Sequence, residues 1–448
     1  MLLFGILRTH PDPGWLPPQS SPLPRLTTRL LMKPSLIPLV GALALAGAIA
    51  AQADPSTAAR SLNTFGLDLH RRLAAESGGN LVTSPWSIET ALAMTYGGAA
   101  GQTRTEMARV LHLAQDDAAV HTGFAALTAD LRALAEKSRA RVEEAGERGR
   151  QTTPLTLTAA NRLFGQEGYA FAKPFLDLAA ETYGAPLQLM DFRKAPEPAR
   201  QTINSWVEKE TRERIKDLIP PLAITADTRL VLVNAVHLKA PWVREFGYEP
   251  GAPFHVNGTE QITTPGLFQE GAYGYLPLPG GAAVTVPYAD GGLHFVLFVP
   301  EARDGLAAME KSLTPETLAA AAKAKTRTVK LHFPSFRLNP GRVLLSKNLI
   351  AMGMPSAFDV PPGSADFSGM APRQPGDSLC IGEVVHQAFI AVDQYGTEAA
   401  AATAVITVRM IARQSEPLEV RVDRPFAFAI QHVPTGACLF LGRVTDPR

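Results

Sequence analysis

Few groups in this chain could do covalent chemistry, and their spacing suits it poorly. Ser84 and Ser87 stand in the run TSPWSIE, and His386 lies far downstream in VVHQAF. A serine nucleophile of the hydrolase type sits on a strained Gly-x-Ser-x-Gly elbow with oxyanion donors beside it. Here a proline follows Ser84 directly, which suits a helix N-cap with its first turn and fits an elbow poorly. We read both serines as structural hydroxyls. The 10 histidines are scattered, with no His-Glu-x-x-His, no other metal-ligand spacing and no glycine-rich phosphate loop. The expectation is a protein that is no enzyme and that uses neither metal nor cofactor. Cys380 and Cys438 allow one bridge arithmetically, but they form no disulfide framework and are read as isolated thiols. A formal net charge of +1 points to neither nucleic acid nor an anionic membrane.

The elements that must position these residues can be traced by periodicity. Leu62, Phe65, Leu69 and Leu73 mark one buried helix face. Ser84-Pro85 opens a helix through Ile88, Leu92 and Met94 that stops at Gly97-Gly98. Thr103 and Glu106 form a capping-box pattern. The mixed-charge run 136–150 reads as an exposed loop or helix end. Ile203, Trp206 and Val207 define a helix starting near Pro198. The run RLVLVNAVHLKAPW, residues 229–242, is long and apolar, as for a strand buried on both faces. Further strands are expected at 254–256 turning at Asn257-Gly258, and at 283–288, 293–300, 329–336, 426–433 and 438–444. Asn257-Gly258-Thr259 is a glycosylation sequon by pattern, and a hairpin turn is the preferred reading. Helices come early and strands late, without a βαβ repeat, which argues an α+β fold. No composition break divides residues 54–448, so one domain is expected despite 448 residues with 46% apolar composition.

Residues 32–53 read as a secretory signal. Lys33 supplies the positive start, 36–49 the apolar core, and Ala51-Gln52-Ala53 a small-x-small cleavage site. The apolar run is short for a membrane anchor. Met32 is then the expected start, residues 1–31 a mis-called extension, and Asp54 the beginning of the exported protein. Export implies a periplasmic or extracellular protein with no membrane attachment once the signal is cleaved.

One segment fits neither helix nor strand alone. GTEAAAATAVITV, residues 396–408, is a run of small residues followed by β-branched ones, with one charge and no proline. Alanine favours helix and Val-Ile-Thr-Val favours strand. As a strand it would send Thr397, Ala399, Ala401, Thr403, Val405 and Thr407 to one face, all small or β-branched and uncharged. Glu398, Ala400, Ala402, Ala404, Ile406 and Val408 would take the other, which carries the sole charge. The first face could be buried without stranding an ion, at a saving of several kcal/mol. Composition alone leaves a flexible connector as the alternative.

Taken together, the motifs resemble the serpin family. The chain carries, in the family's order, GGNLVTSPWSIETALAMTYGGAAGQTRTEM (78–107), NRLF (161–164), INSWVEKET (203–211) and LVLVNAVHLKAPW. LIAMGMPSAF (349–358), ADFSGM (365–370), VVHQAFIAVDQYGTEAAAATAV, DRPFAFAI (423–430) and LFLGRVTDP follow. The resemblance covers essentially all of 54–448. It implies three β-sheets with eight or nine helices and an exposed reactive loop between two strands. It also implies a bacterial-type, monomeric suicide inhibitor whose partner is a target serine protease, held as a covalent acyl-enzyme. The cleaved loop would enter the central sheet of a kinetically trapped fold. Such a strand of about fifteen residues spans roughly 50 Å, enough to carry the protease to the far end.

Site residues follow from the resemblance residue by residue. Gln394, Tyr395, Gly396, Thr397, Glu398, Ala399, Ala400, Ala401, Ala402 and Thr403 match the loop hinge. Family spacing places the scissile bond at Met410-Ile411, which implies chymotrypsin-, elastase- or subtilisin-like targets. Arg409-Met410 is the rival bond and implies trypsin-like ones. Ser84, Ser87, Asn234 and His386 match a hydrogen-bonded cluster where the strands part, and Trp242 marks where insertion starts. The family usually has an acid at the position of Gln394, so the ion pair there is in doubt, and Tyr395 is bulkier than the pattern. The alternatives are a non-inhibitory carrier or chaperone of the same fold, or an inhibitor of cysteine proteases.

Overall fold

The computed structural model describes residues 2–10, 54–147, 153–256, 260–373, 378–398 and 416–448. Its helices are α1 (Pro55–Glu76), α2 (Pro85–Tyr96), α3 (Gly101–Val110), α4 (Asp117–Glu147), α5 (Lys173–Asp177), α6 (Pro196–Glu210), α7 (Leu306–Ser312), α8 (Pro315–Ala322) and α9 (Ser346–Met352). The early strands are β1 (Leu2–His10), β2 (Leu81–Thr83), β3 (Thr156–Gln166), β4 (Leu187–Met190), β5 (Thr228–Pro241) and β6 (Gly247–Val256). β7 (Glu260–Leu278), β8 (Gly281–Pro287), β9 (Leu293–Pro300), β10 (Thr326–Pro334), β11 (Phe336–Leu338) and β12 (Arg342–Leu344) follow. The last are β13 (Ser378–Gln387), β14 (Ile390–Asp393), β15 (Gly396–Thr397), β16 (Leu418–Arg421), β17 (Phe426–His432) and β18 (Ala437–Val444).

The strands form two hydrogen-bonded networks rather than three separate sheets. The central one runs β4-β3-β5-β1-β13-β12, with β11-β14-β15 joined to it at the end of β5. The other runs β16-β10-β7-β8-β9-β17-β18-β2, with β6 also on β7. The 19-residue β7 is shared: its first half pairs with β6 and β10, its last residues with β8, and this fuses the expected second and third sheets.

Most local signals hold. α2 begins at Pro85 with the Ser84 side chain accepting from the Ser87 N–H, and its C-cap is Gly97. Leu62, Phe65, Leu69 and Leu73 are buried on α1. β5 is buried along nearly its whole length because β3 and β1 flank it and core lies on both faces. On one face α1 and α2 contribute to the main core. On the other, Ile203 and Val207 of α6 pack with Phe164, Val231 and Val233. Both cysteines are free and buried, and burial pushes the Cys380 thiol up to about 11.

One expectation changes, and another resolves to one of its two readings. The charged run is the helix end: it forms the solvated last turns of the 31-residue α4 up to Glu147. Thr103 and Glu106 make no capping box: α3 starts at Gly101 without a side-chain cap. Their oxygens accept instead from the Asp366 and Ser356 N–H groups, because the chain at 355–366 packs against α3 and needs those acceptors. Residues 2–10, ahead of the expected start at Met32, form β1 in the middle of the central sheet. Ile6 and Leu7 are wholly buried on opposite faces, worth about 1.5–3 kcal/mol apiece in gross transfer energy. The segment 32–53, expected to be a signal, and residues 257–259, expected to turn, lie outside the described residues; β6 and β7 pair antiparallel up to Val256 and Glu260.

Candidate functional site

The polar cluster expected beneath the central sheet is assembled as one hydrogen-bonded chain. Ser84, Ser87, Asn234 and His386 are at most 2% exposed. The Ser84 N–H donates to His386 Nε2 at 3.3 Å, so the ring proton is on Nδ1. Ser84 Oγ accepts from the Ser87 N–H at 3.0 Å, and Ser87 Oγ donates to Asn234 Oδ1. Asn234 Nδ2 passes the chain to Asn161 on β3, whose amide donates to the Tyr183 carbonyl at 2.8 Å. Helix α2 is thereby tied to β3, β5 and β13. Such a cluster fixes how those strands sit only while every member has its partner. His386 Nε2 accepts here from a backbone amide, a structural role distinct from that of a base drawing a proton from a serine hydroxyl.

The hinge sits at the end of β5. Asp393 Oδ1 accepts from the N–H groups of Tyr395 at 2.8 Å and Gly396 at 3.2 Å, making a tight turn from β14 into β15. Burial raises the Asp393 carboxyl above its usual range, and those two N–H bonds oppose it. Gly396 has φ +154°, and a Cβ there would lie 2.2 Å from the Ala240 carbonyl oxygen. This close approach lets Gly396 and Thr397 pair with Pro241 and Ala240. Thr397 Oγ1 meets the Tyr288 hydroxyl, whose own ionisation burial pushes far up.

Trp242 is locked beside this turn. Its ring stacks on Tyr288 at 4.6 Å and 7°, its N–H donates to the Tyr395 carbonyl, and Nε1 donates to the Asp393 carbonyl at 2.9 Å. Gln394, where an acid was the usual pattern, only lends its carbonyl to the Phe246 N–H. A different acid, Glu398, is held beside this turn. Its carboxylate is 3.1 Å from His237 Nε2 and 3.8 Å from Arg214 Nε, and its side chain is 8% exposed. The sole charge of the 396–408 run is therefore buried in a pair. Arg212, Lys239 and Arg337 line the same pocket. The sequence offered no cue that Glu398 and His237 would meet, because they stand 161 positions apart in separate motifs.

Ala399, Ala400, Ala401, Ala402 and Thr403, with Arg409, Met410 and Ile411, lie outside the described residues. Among the described residues no group of three or more His, Cys, Asp or Glu side chains is placed to hold a metal ion. Nor is any described helix long and apolar enough to cross a membrane.

A protein-family profile described as "Serpin (serine protease inhibitor)" matches residues 60–447. The chain belongs to the serpin family. An uncharacterised serpin-like protein of Thermococcus kodakarensis is 36% identical over 393 residues, covering 87% of this serpin and 85% of that protein. A leukocyte elastase inhibitor of Xenopus tropicalis is 34% identical over 394 residues, covering 86% and 97%. A solved structure described as "Cleaved Serpin 42Da" superposes with a TM-score of 0.73 at 30% identity, covering 88% of this serpin and 99% of that chain. The expected α+β serpin architecture is thus shown, and the relatives support protease inhibition in general.

Proposed function

We propose that this serpin is a suicide inhibitor of chymotrypsin-, elastase- or subtilisin-like serine proteases, exported and monomeric. The protease supplies the catalysis. Its serine Oγ attacks the Met410 carbonyl carbon, the bond to the Ile411 nitrogen breaks with a proton passing to that amine, and the Met410 acyl group stays on the serine as an ester. The freed loop then enters the central sheet and drags the protease before water can deacylate it.

The observation that carries this reading is the hinge. β15 already pairs Gly396 and Thr397 with the end of β5, so the loop starts from a position within the central sheet. The following residues put only small, uncharged side chains on the face that would be buried. The name of the leukocyte elastase inhibitor relative agrees with an apolar residue at the bait position. An unbranched Met410 suits a primary pocket that lacks a buried anion.

The test is incubation with chymotrypsin, elastase, subtilisin and trypsin, followed by denaturing gels and mass spectrometry of the released fragment. Complexes stable in SDS and a fragment beginning at Ile411 are expected. A fragment beginning at Met410 would move the bond to Arg409-Met410 and the targets to trypsin-like enzymes. Turnover of the chain as a simple substrate by all four would remove the inhibitor assignment.

A further inference from the structure

The gap that the loop would need is already filled. β14 continues the line of β13, and β15 turns back from it onto β5 at Ala240 and Pro241. β1 lies between the same two lines, pairing with β5 from Ala235 to Thr228 and with β13 from Gln387 to Ser378. Both β15 and β1 run antiparallel to β5, so they stand end to end in one gap. A strand continued from Thr397 in the register of β15 would reach Ala235 within about five residues. Ala235 is already paired with Leu2. Leu3, the next residue, falls between Asn234 and His386, at the level of the polar cluster.

The occupant fits its place on both faces. Ile6 joins the core under α6 and Leu7 the core that includes Ala91 and Leu92 of α2. Arg8 reaches out to donate to the Ala223 carbonyl at 2.6 Å. β13 bulges opposite Ile6 and Leu7 at Gly382, where a Cβ would stand 3.1 Å from Arg8 Nε and 3.2 Å from the Ile6 carbonyl oxygen. One imperfection remains, a void of about 10 Å³ bordered by Gly5, Leu7, Leu92 and Leu232.

We infer that Leu2–His10 is a resident strand that plugs the slot between β5 and β13, so that a chain carrying it is a blocked inhibitor and loss of the residues ahead of Asp54 unblocks it. The plug stands on the pairing just described; its inhibitory consequence rests on the protease-trap reading above. A main-chain ladder on both sides gives the segment affinity without sequence-specific chemistry. Only one strand can hold that ladder at a time.

The experiment uses the full chain in three forms: unaltered, Ile6→Asp/Leu7→Asp, and Gly5→Ala. Hydrogen exchange of the unaltered chain should show the amides from Leu3 to Leu7 protected at least about a hundredfold over an unstructured peptide. Exchange at unstructured rates would overturn the plug, whatever the variants do. Charges facing both cores should expel the strand and raise the rate of SDS-stable complex formation with elastase at least tenfold, with exchange in β17 and β18 unchanged. Gly5→Ala, whose Cβ would find contacts no closer than 3.8 Å, should fill the void and slow complex formation. An expelled strand with an unchanged, finite complex rate would overturn the blocking role. An expelled strand with no complex in any form would uphold the plug and reject the protease trap.

Discussion

The Glu398 carboxylate lies 3.1 Å from His237 Nε2, with both side chains 8% exposed, and this contact ties the last described residue of the hinge to β5. Glu398 itself has φ +49°, which turns its backbone out of the extended line of β15, while its N–H still donates to the Ala391 carbonyl in register with the β14–β15 pairing. The pair therefore holds the hinge in a bent state that a fully inserted strand would have to abandon.

Glu398→Ala should loosen that latch. A hydrogen bond to a charged group is worth about 1.5–3 kcal/mol, and losing it should lower stability against urea by up to that amount. Conversion of the purified protein to an inactive, more heat-resistant form should speed up. A variant that converts at the unaltered rate would show that the latch does not control the hinge.

Gly396→Ala tests the close approach beneath the same turn. A Cβ would stand 2.2 Å from the Ala240 carbonyl, on a backbone at φ +154°. The pairing of Gly396 and Thr397 with β5 should be lost, at a cost of about 2 kcal/mol or more. Hydrogen exchange at Thr397 reads this directly, and retained protection there would contradict it.

His386→Ala removes the acceptor of the buried Ser84 N–H, which should cost about 1–3 kcal/mol for the unsatisfied donor alone. We expect the rate of spontaneous inactivation to change more than the rate of protease encounter, because the residue lies beneath the sheet. Equal effects on the two rates would sink the assignment of this cluster to strand opening.

Glu89 gives a pH signature. It is wholly buried in α2, and desolvation holds its carboxyl well above the usual 4.5. A raised folded-state value means that the folded protein binds the proton more tightly. The stability this brings is complete below about pH 4.5 and is lost as pH rises towards the folded-state value. Glu89→Gln should accordingly gain thermal stability relative to the unaltered protein at pH 7, with the gain shrinking as pH falls to 4.5. A difference that stays constant across that range would mean that Glu89 does not titrate as described.

What the amino-acid order determined by itself was local or patterned. The Ser84-Pro85 start of α2, the buried β5, the alternation in 396–408 and the motifs that mark a serpin all rest on short-range spacing, which sterics and periodicity make legible. Tertiary structure decided what depends on partners distant in the chain. Thr103 and Glu106 carry a helix-cap pattern, yet α3 spends their oxygens on backbone at 356 and 366. Glu398 found His237 across 161 positions. Above all, LLFGILRTH lies in the stretch expected to be a mis-called extension, and it is a strand because β5 and β13 present matching edges to it. A sheet edge accepts any strand that can satisfy its N–H and carbonyl groups, so which segment of the chain takes that place cannot be read from the segment alone.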